Sequence, residues 1–206
     1  MDTPCTDQAT ESVHRWLRQT FPDPNVTQIN TGFHNDNLGG NGYLIGQGIP
    51  CYGSDLTPKL IAERWEQTKQ QALPYYAAAG EKYRDAFVNQ ELVPPNKLYP
   101  LSQGLTLRIG RESVEVFFPG ASHTLDNVVV YFKNRRILFG GCMIKALEAR
   151  TLGFVGDADM AAWPGSVQKV LDRYPRSRIL IPGHGAWGDL ELARHTIRLC
   201  APRNLQ

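Results

Sequence analysis

Apolar positions recur at helical spacing near the start of the chain. Val13, Trp16, Leu17 and Thr20 fall on one side of a helix predicted over residues 7–20, with Thr6 or Asp7 able to cap its first turn. Val26 and Ile29 alternate as in a strand over residues 25–30, and a second short strand is predicted near 49–53. From Thr57 to about Gln90 the period is helical again: Leu60, Ile61, Trp65 and Thr68 form one stripe, and Pro74 and Gly80 are expected to divide the segment. Its aromatic residues are read as packing residues. After Pro94 and Pro95 the runs LTLRIG, SVEVFFPG, NVVVYF and RRILFGG, separated by turn residues, predict an antiparallel meander. Trp163, Val167, Val170, Leu171 and Tyr174 then mark a helix face, with Pro164 suited to its first turn. The strand RILIPG follows, and Asp189 can cap a last helix whose Leu190, Ala193, Ile197 and Cys200 share a face. Strand runs mixed with helices, without regular alternation, predict an α+β fold in which sheets pack against outer helices, not a doubly wound parallel sheet.

The 206 residues fit one domain, residues 1–206, with a helical excursion over 57–95. A net charge of +2 with both signs interspersed leaves no polybasic stripe, which argues against a nucleic-acid partner. No apolar run approaches the roughly 20 residues that span a bilayer, so no membrane association is expected. The segment MDTPCTDQATE has neither a basic nor an apolar leader region, and the chain as written reads as cytoplasmic. Cys5, Cys51, Cys142 and Cys200 are scattered without a CxxC pair, which indicates neither a disulfide framework nor a zinc ribbon.

The candidate chemistry lies in loops at strand ends. In GFHNDNLGGN, residues 32–41, His34 and Asp36 can turn imidazole and carboxylate toward one metal, and Gly39 and Gly40 let the backbone turn closely. His123 in PGASHTLDN, Cys142 in FGGCMIK and His184 in IPGHG each stand beside glycine or proline. Asp36, Cys142 and His184 offer the carboxylate, thiolate and imidazole of a three-ligand zinc site with an open fourth position, and such a site activates water for hydrolysis. A second zinc would need three histidines, but Gly32 has no side chain and only His34 and His123 remain. Either of those two could instead serve as general base or hydrogen-bond an oxyanion. Taken singly, the readings are ordinary: an Asx-turn in the loop of residues 32–41, a turn histidine at 123, a small buried hydrophobe at 142. His14 and His195 are read as surface or packing residues.

In the order and spacing of PGASHTLDNVVVYF, ILFGGCMIK, GDADMAAWPGS and IPGHG, the chain resembles the metallo-β-lactamase family, from MDTP near the start to GHGAWGD near the end. The resemblance implies an αββα sandwich with the site along one edge. It matches His34 and His123 to ligands of a first zinc and Asp36, Cys142 and His184 to those of a second. Lys145 matches a lysine that pairs with the lactam carboxylate. The chain departs from the pattern at GFHND, where relatives read HxHxD or NxHxD, and at Phe154, where many carry an asparagine donor. MDTP aligns with the end of an early strand, so the sandwich is expected to lack its first strands.

These readings give a zinc-dependent hydrolase of β-lactams, with carbapenems favoured, one zinc on Asp36, Cys142 and His184, and a weak or vacant second site. His34, Asp36 and His123 are the candidate catalytic residues, and Lys145 and Phe154 the substrate-binding ones. Another metallo-β-lactamase-fold hydrolase, acting on a thioester, lactone or phosphodiester, and a non-catalytic zinc-binding remnant are the alternatives. Missing strands would leave open edges, from which a homodimer is expected. Members of the family are exported, which points to a periplasmic location against the cytoplasmic reading above.

Overall fold

The structure is a computed structural model that describes residues 1–22 and 25–201. The chain divides into two units, Met1–Pro100 and Leu101–Gln206.

In the first unit, α1 (Asp7–Thr20) starts where Thr6 accepts a hydrogen bond from the Ala9 N–H at 3.2 Å, the expected cap. The face it buries is not the expected one. Thr10 and His14 are buried, while Val13 and Trp16 are 45% and 55% exposed. The polar side chains have better partners: Thr10 Oγ1 donates to the Thr6 carbonyl, and His14 Nδ1 lies 3.1 Å from the Tyr43 hydroxyl. The strands β1 (Gln28–Ile29), β2 (Cys51–Ser54) and β3 (Lys97–Tyr99) form a wholly parallel sheet in chain order. Parallel neighbours need crossovers. These are supplied by the short helices α2 (Asn35–Leu38) and α3 (Asn41–Gly46), then by the long α4 (Thr57–Ala79) and α5 (Glu81–Val88).

The expected division at Pro74 does not occur, because α4 continues through it. The helix ends at Gly80, whose φ of 122° a side-chain-bearing residue rarely adopts. Leu60, Trp65 and Thr68 are buried as expected, joined by Thr57 and Ala72. Phe87 packs edge-on against Trp65 and stacks on Tyr76 with ring centroids 3.8 Å apart, whereas Tyr75 and Tyr83 are exposed.

A buried polar network fixes the segment between β1 and α3. The Asp2 carboxylate accepts from the Thr31 N–H at 2.8 Å, the Thr31 hydroxyl at 2.7 Å and the Asn37 amide at 3.1 Å, so it ties both ends of the loop that carries Gly32, His34 and Asp36. Asn30 and Asn41 exchange amide hydrogen bonds of 3.1 and 2.9 Å, and the Asn30 amide also reaches the Asn37 carbonyl at 2.8 Å. The glycines at 39 and 40 serve this closure through size, since neither has a positive φ. A Cβ on Gly39 would stand 2.7 Å from the Cys5 carbonyl carbon, and one on Gly40 would stand 2.5 Å from Thr10 Cβ.

In the second unit, β4 (Leu105–Ile109), β5 (Glu112–Phe117), β6 (Val129–Phe132) and β7 (Ile137–Gly141) make the antiparallel meander, and β8 (Ile179–Pro182) adds parallel to β7. The helices α6 (Trp163–Arg173) and α7 (Glu191–Cys200) cover it, and Asp189 accepts from the Glu191 N–H at 2.8 Å. Val129, Leu138, Ile144, Trp163, Val167, Val170, Leu180 and Leu192 form the core. Among the described residues, no helix is long and apolar enough to cross a membrane.

Burial is the main influence on Asp2 and raises its carboxyl from 3.8 to about 6, against hydrogen bonds from Thr31 and Asn37 that lower it. Between pH 3.8 and about 6 the unfolded chain gives up this proton before the folded one, so folding stability falls as pH rises through that window. Asp2→Asn has no proton to lose and is expected to flatten the slope. Denaturant unfolding at pH 4, 5, 6 and 7 checks this, and an unchanged slope would reject it.

Candidate metal centre

His34 ends the extended segment after β1 and opens α2: its carbonyl accepts from the N–H groups of Asn37 at 3.0 Å and Leu38 at 3.2 Å. Asp36 lies in the first turn of α2, where a carboxylate is favoured by the exposed N–H groups of a helix start. Gly32 is buried two residues before His34. Asn35, between the two candidate ligands, accepts a hydrogen bond from the Tyr76 hydroxyl at 3.1 Å, so α4 pins the ligand loop from outside it. Cys5 and Tyr76 are both pushed upward by burial, with Asp36 as a further charge acting in the same direction. The thiol reaches about 11, and both groups stay protonated near neutrality.

In the second unit, His123 stands in a loop held by its own hydrogen bonds. Asn127 Oδ1 accepts from the Thr124 N–H at 2.8 Å and the Ser122 hydroxyl at 3.2 Å, and the Ser166 hydroxyl donates to the Ala121 carbonyl at 2.7 Å. The His123 ring packs 5.5 Å from that of Trp163, whose indole N–H donates to the Met143 carbonyl at 2.9 Å. Lys145 Nζ stands over the same Trp163 ring at 5.4 Å. Trp163 therefore organises three neighbours at once: His123, Lys145 and the residue after Cys142. The sequence showed it only as a helix-face residue.

Cys142 and His184 are brought together. The pairing of β7 with β8 shifts register between Phe139 and Gly141, and Gly141 has a φ of 55°, which turns the chain out of the strand at Cys142. The Gly183 N–H donates to the Gly141 carbonyl at 2.7 Å. A Cβ on Gly183 would come within 2.8 Å of Cys142 N and 2.9 Å of Cys142 Sγ, so only glycine allows this approach. The loop after His184 is held in turn by Glu148, which accepts from the Ala186 N–H at 2.8 Å.

The result is a Cys142 Sγ to His184 Nε2 separation of 3.6 Å. Ligands at about 2.3 Å (sulfur) and about 2.0–2.1 Å (nitrogen) on a tetrahedral zinc stand about 3.5 Å apart. The pair thus has the spacing of two zinc ligands, and the donor types suit that ion. Phe154 is half-buried and offers no side-chain hydrogen bond, and His195 Nε2 lies 2.8 Å from the Ala149 carbonyl in a packing role.

Comparison with known proteins agrees with this chemistry. The model of the metallo-beta-lactamase superfamily matches residues 28–184, and the chain belongs to that family. It is 32% identical over 196 residues to a metallo-beta-lactamase type 2 of Bacteroides fragilis, covering 95% of this chain and 68% of that protein. A metallo-beta-lactamase type 2 of Pseudomonas aeruginosa is 33% identical over 196 residues, covering 95% of this chain and 66% of that protein. The chain thus spans about two thirds of the length of these relatives. Among solved structures, a metallo-beta-lactamase from Pontibacter korlensis matches with a TM-score of 0.79 and 34% identity, over 97% of this chain and 80% of that one. The α+β fold is accordingly the metallo-β-lactamase fold, and the family implies a metal, typically zinc.

Gly183→Ala should force His184 and Cys142 apart and lower zinc affinity by about 10–100-fold. Competition with a chromophoric chelator measures it, and affinity equal to wild type would show that the close approach is not needed.

Proposed function

We propose that this chain is a zinc-dependent β-lactamase that opens the β-lactam amide by hydrolysis, with carbapenems favoured. The observation that carries the reading is the 3.6 Å Cys142–His184 pair, in a chain whose relatives are named metallo-beta-lactamases. A thiolate ligand also favours the lactam over the thioester, lactone and phosphodiester alternatives.

Asp36, Cys142 and His184 would hold the zinc, offering one carboxylate oxygen, one sulfur and one nitrogen and leaving a fourth position open. Zinc bound there supplies Lewis acidity and lowers the pKa of water. His34 and His123, with Gly32 in place of a third donor, form at most a weak second site, and either imidazole can take or return a proton during turnover. Lys145, steadied over Trp163, would pair with the substrate carboxylate, and Phe154 would present an apolar face to the substrate. Hydrolysis places hydroxyl on the carbonyl carbon, breaks the ring C–N bond and leaves the proton on nitrogen.

A homodimer is part of the same proposal. Val13 and Trp16 on α1 and Phe21 just past its end leave an apolar patch at 45%, 55% and 50% exposure, with Trp16 and Phe21 in edge contact. Light scattering at micromolar concentration should give twice the chain mass, and a monomer would reject this part.

Metal analysis beside turnover of a carbapenem, a cephalosporin and a penicillin tests the rest. About one zinc per chain and carbapenem turnover are expected. Cys142→Ser should lose both, and full zinc content with full turnover would refute the ligand assignment. Gly32→His should raise zinc toward two per chain and broaden the substrate range, and unchanged stoichiometry would show that Gly32 does not limit the second site.

A further inference from the structure

We infer that Glu148 is a positioning residue of the candidate metal centre: its carboxylate clasps the turn after His184 to the segment that follows Cys142, and so fixes where the imidazole stands. The inference rests on the ligand reading above and deepens it by one residue outside the ligand set.

His184 needs such a hold. It and the next three residues, Gly185, Ala186 and Trp187, are exposed, so burial does little to fix them. The loop is closed at its base, where Leu180 and Gly188 exchange backbone hydrogen bonds of 2.8 and 2.9 Å. Its first arm is tied by the Gly183 N–H on the Gly141 carbonyl at 2.7 Å. Its second arm is tied by a side chain, since the Ala186 N–H donates to Glu148 Oε1 at 2.8 Å. The same oxygen lies against the turn itself. A Cβ on Gly185, where φ is 86°, would stand 2.5 Å from Glu148 Oε1 and 2.6 Å from Ala146 Cβ. With this arm untied, the imidazole would have to be ordered at the moment it binds metal, and that ordering lowers affinity.

A clasp holds only if its other end is fixed, and Glu148 stands on a fixed stretch. The Lys145 N–H donates to Thr196 Oγ1 at 2.8 Å, and that hydroxyl donates to the Leu192 carbonyl, also at 2.8 Å. Thr196 is fully buried on α7, whose Leu192 and Ala193 belong to the core. Further along, the Ala149 N–H closes a turn on the Ala146 carbonyl at 3.0 Å, and His195 Nε2 lies 2.8 Å from the Ala149 carbonyl. Contacts thus run from the core helix through residues 145–149 to the turn after His184. The acceptor also suits its task. The N–H groups of Ala186 and of Glu148 itself hold the carboxyl below its usual range, and a carboxylate accepts a stronger hydrogen bond than a neutral oxygen.

The test pairs Glu148→Ala, which removes the acceptor, with Glu148→Gln, whose amide oxygen can still accept from Ala186. Competition with a chromophoric chelator should show zinc held about tenfold more weakly by Glu148→Ala and within a few-fold of wild type by Glu148→Gln. In the zinc-free proteins, NMR should show faster exchange of the Ala186 amide in Glu148→Ala than in wild type or Glu148→Gln. Thermal unfolding should be alike in all three, because Glu148 is exposed. A Tm that falls together with zinc affinity would mark a merely structural role and overturn the inference. So would zinc affinity of Glu148→Ala equal to wild type, or Glu148→Gln as weak as Glu148→Ala. Cys142→Ser, measured alongside, separates these failures from that of the ligand set: if it loses zinc while Glu148→Ala does not, the ligands stand and the clasp falls. None of these readouts needs a lactam, so a protein that shows the Glu148 pattern but turns over no lactam rejects the β-lactamase reading alone.

Discussion

A buried polar closure around residues 30–41 is the constraint on which the first unit depends. The segment between β1 and α3 is short of apolar side chains, with Phe33 and Leu38 as its main anchors, yet it is almost wholly buried. Burying so many amides is unfavourable unless each finds a partner, because an unpaired buried group costs roughly 1–3 kcal/mol. Asp2, Thr3, Asn30, Thr31, Asn37 and Asn41 supply those partners for one another, and Thr3 reaches the Gly40 N–H at 2.9 Å. A dense hydrogen-bond network in a low-dielectric interior is rigid and specific. Rigidity here sets where His34 and Asp36 can point.

The second unit reaches the same end by different means. Its core is apolar and continuous, and the site is built where strands stop: at Cys142 after β7 and at His184 after β8. Parallel pairing of these two strands places their carboxyl ends together, and the register shift at Phe139 and Gly141 turns Cys142 toward its neighbour. The absent side chain of Gly183 permits the last step of approach. Trp163 then couples the cover helix α6 to the site through His123, Lys145 and the Met143 carbonyl. Fold and candidate site are thus determined by the same few contacts.

How much of this was legible in the sequence follows from the range of each interaction. Helix and strand positions depend on local periodicity, and the meander, the helix at Trp163 and the capping by Thr6 read correctly from it, whereas the last helix has Leu190 at its cap position. Cys142 and His184 were legible because glycine-bearing turns mark strand ends. The orientation of α1 was not legible, since Val13 and Trp16 outweigh Thr10 and His14 in any apolar pattern, while the structure favours the pair whose polar atoms find Thr6 and Tyr43. Pro74 failed as a breaker because α4 can forgo one backbone hydrogen bond late in a long helix that is anchored by Leu60, Trp65 and Thr68. Asp2, Tyr76 and Trp163 act across 20 to 41 residues of chain or through ring contacts, and no local spacing signals such links.

The proposed ligand set has its own electrostatic logic. Asp36 and a Cys142 thiolate carry two negative charges, enough to neutralise one divalent zinc, and His184 adds none. A thiolate is the form that binds metal, so metal binding and deprotonation of Cys142 are one event. A second zinc held by His34 and His123 would add two positive charges that only neutral imidazoles face, and a histidine at position 32 would add a donor without changing that balance. The charge would then have to be met by an anion from solution, of which the substrate carboxylate is one. On this argument Gly32 limits the second ion by denying it a third bond, and any gain in zinc from filling that position should be larger when an anionic lactam is present than when it is absent.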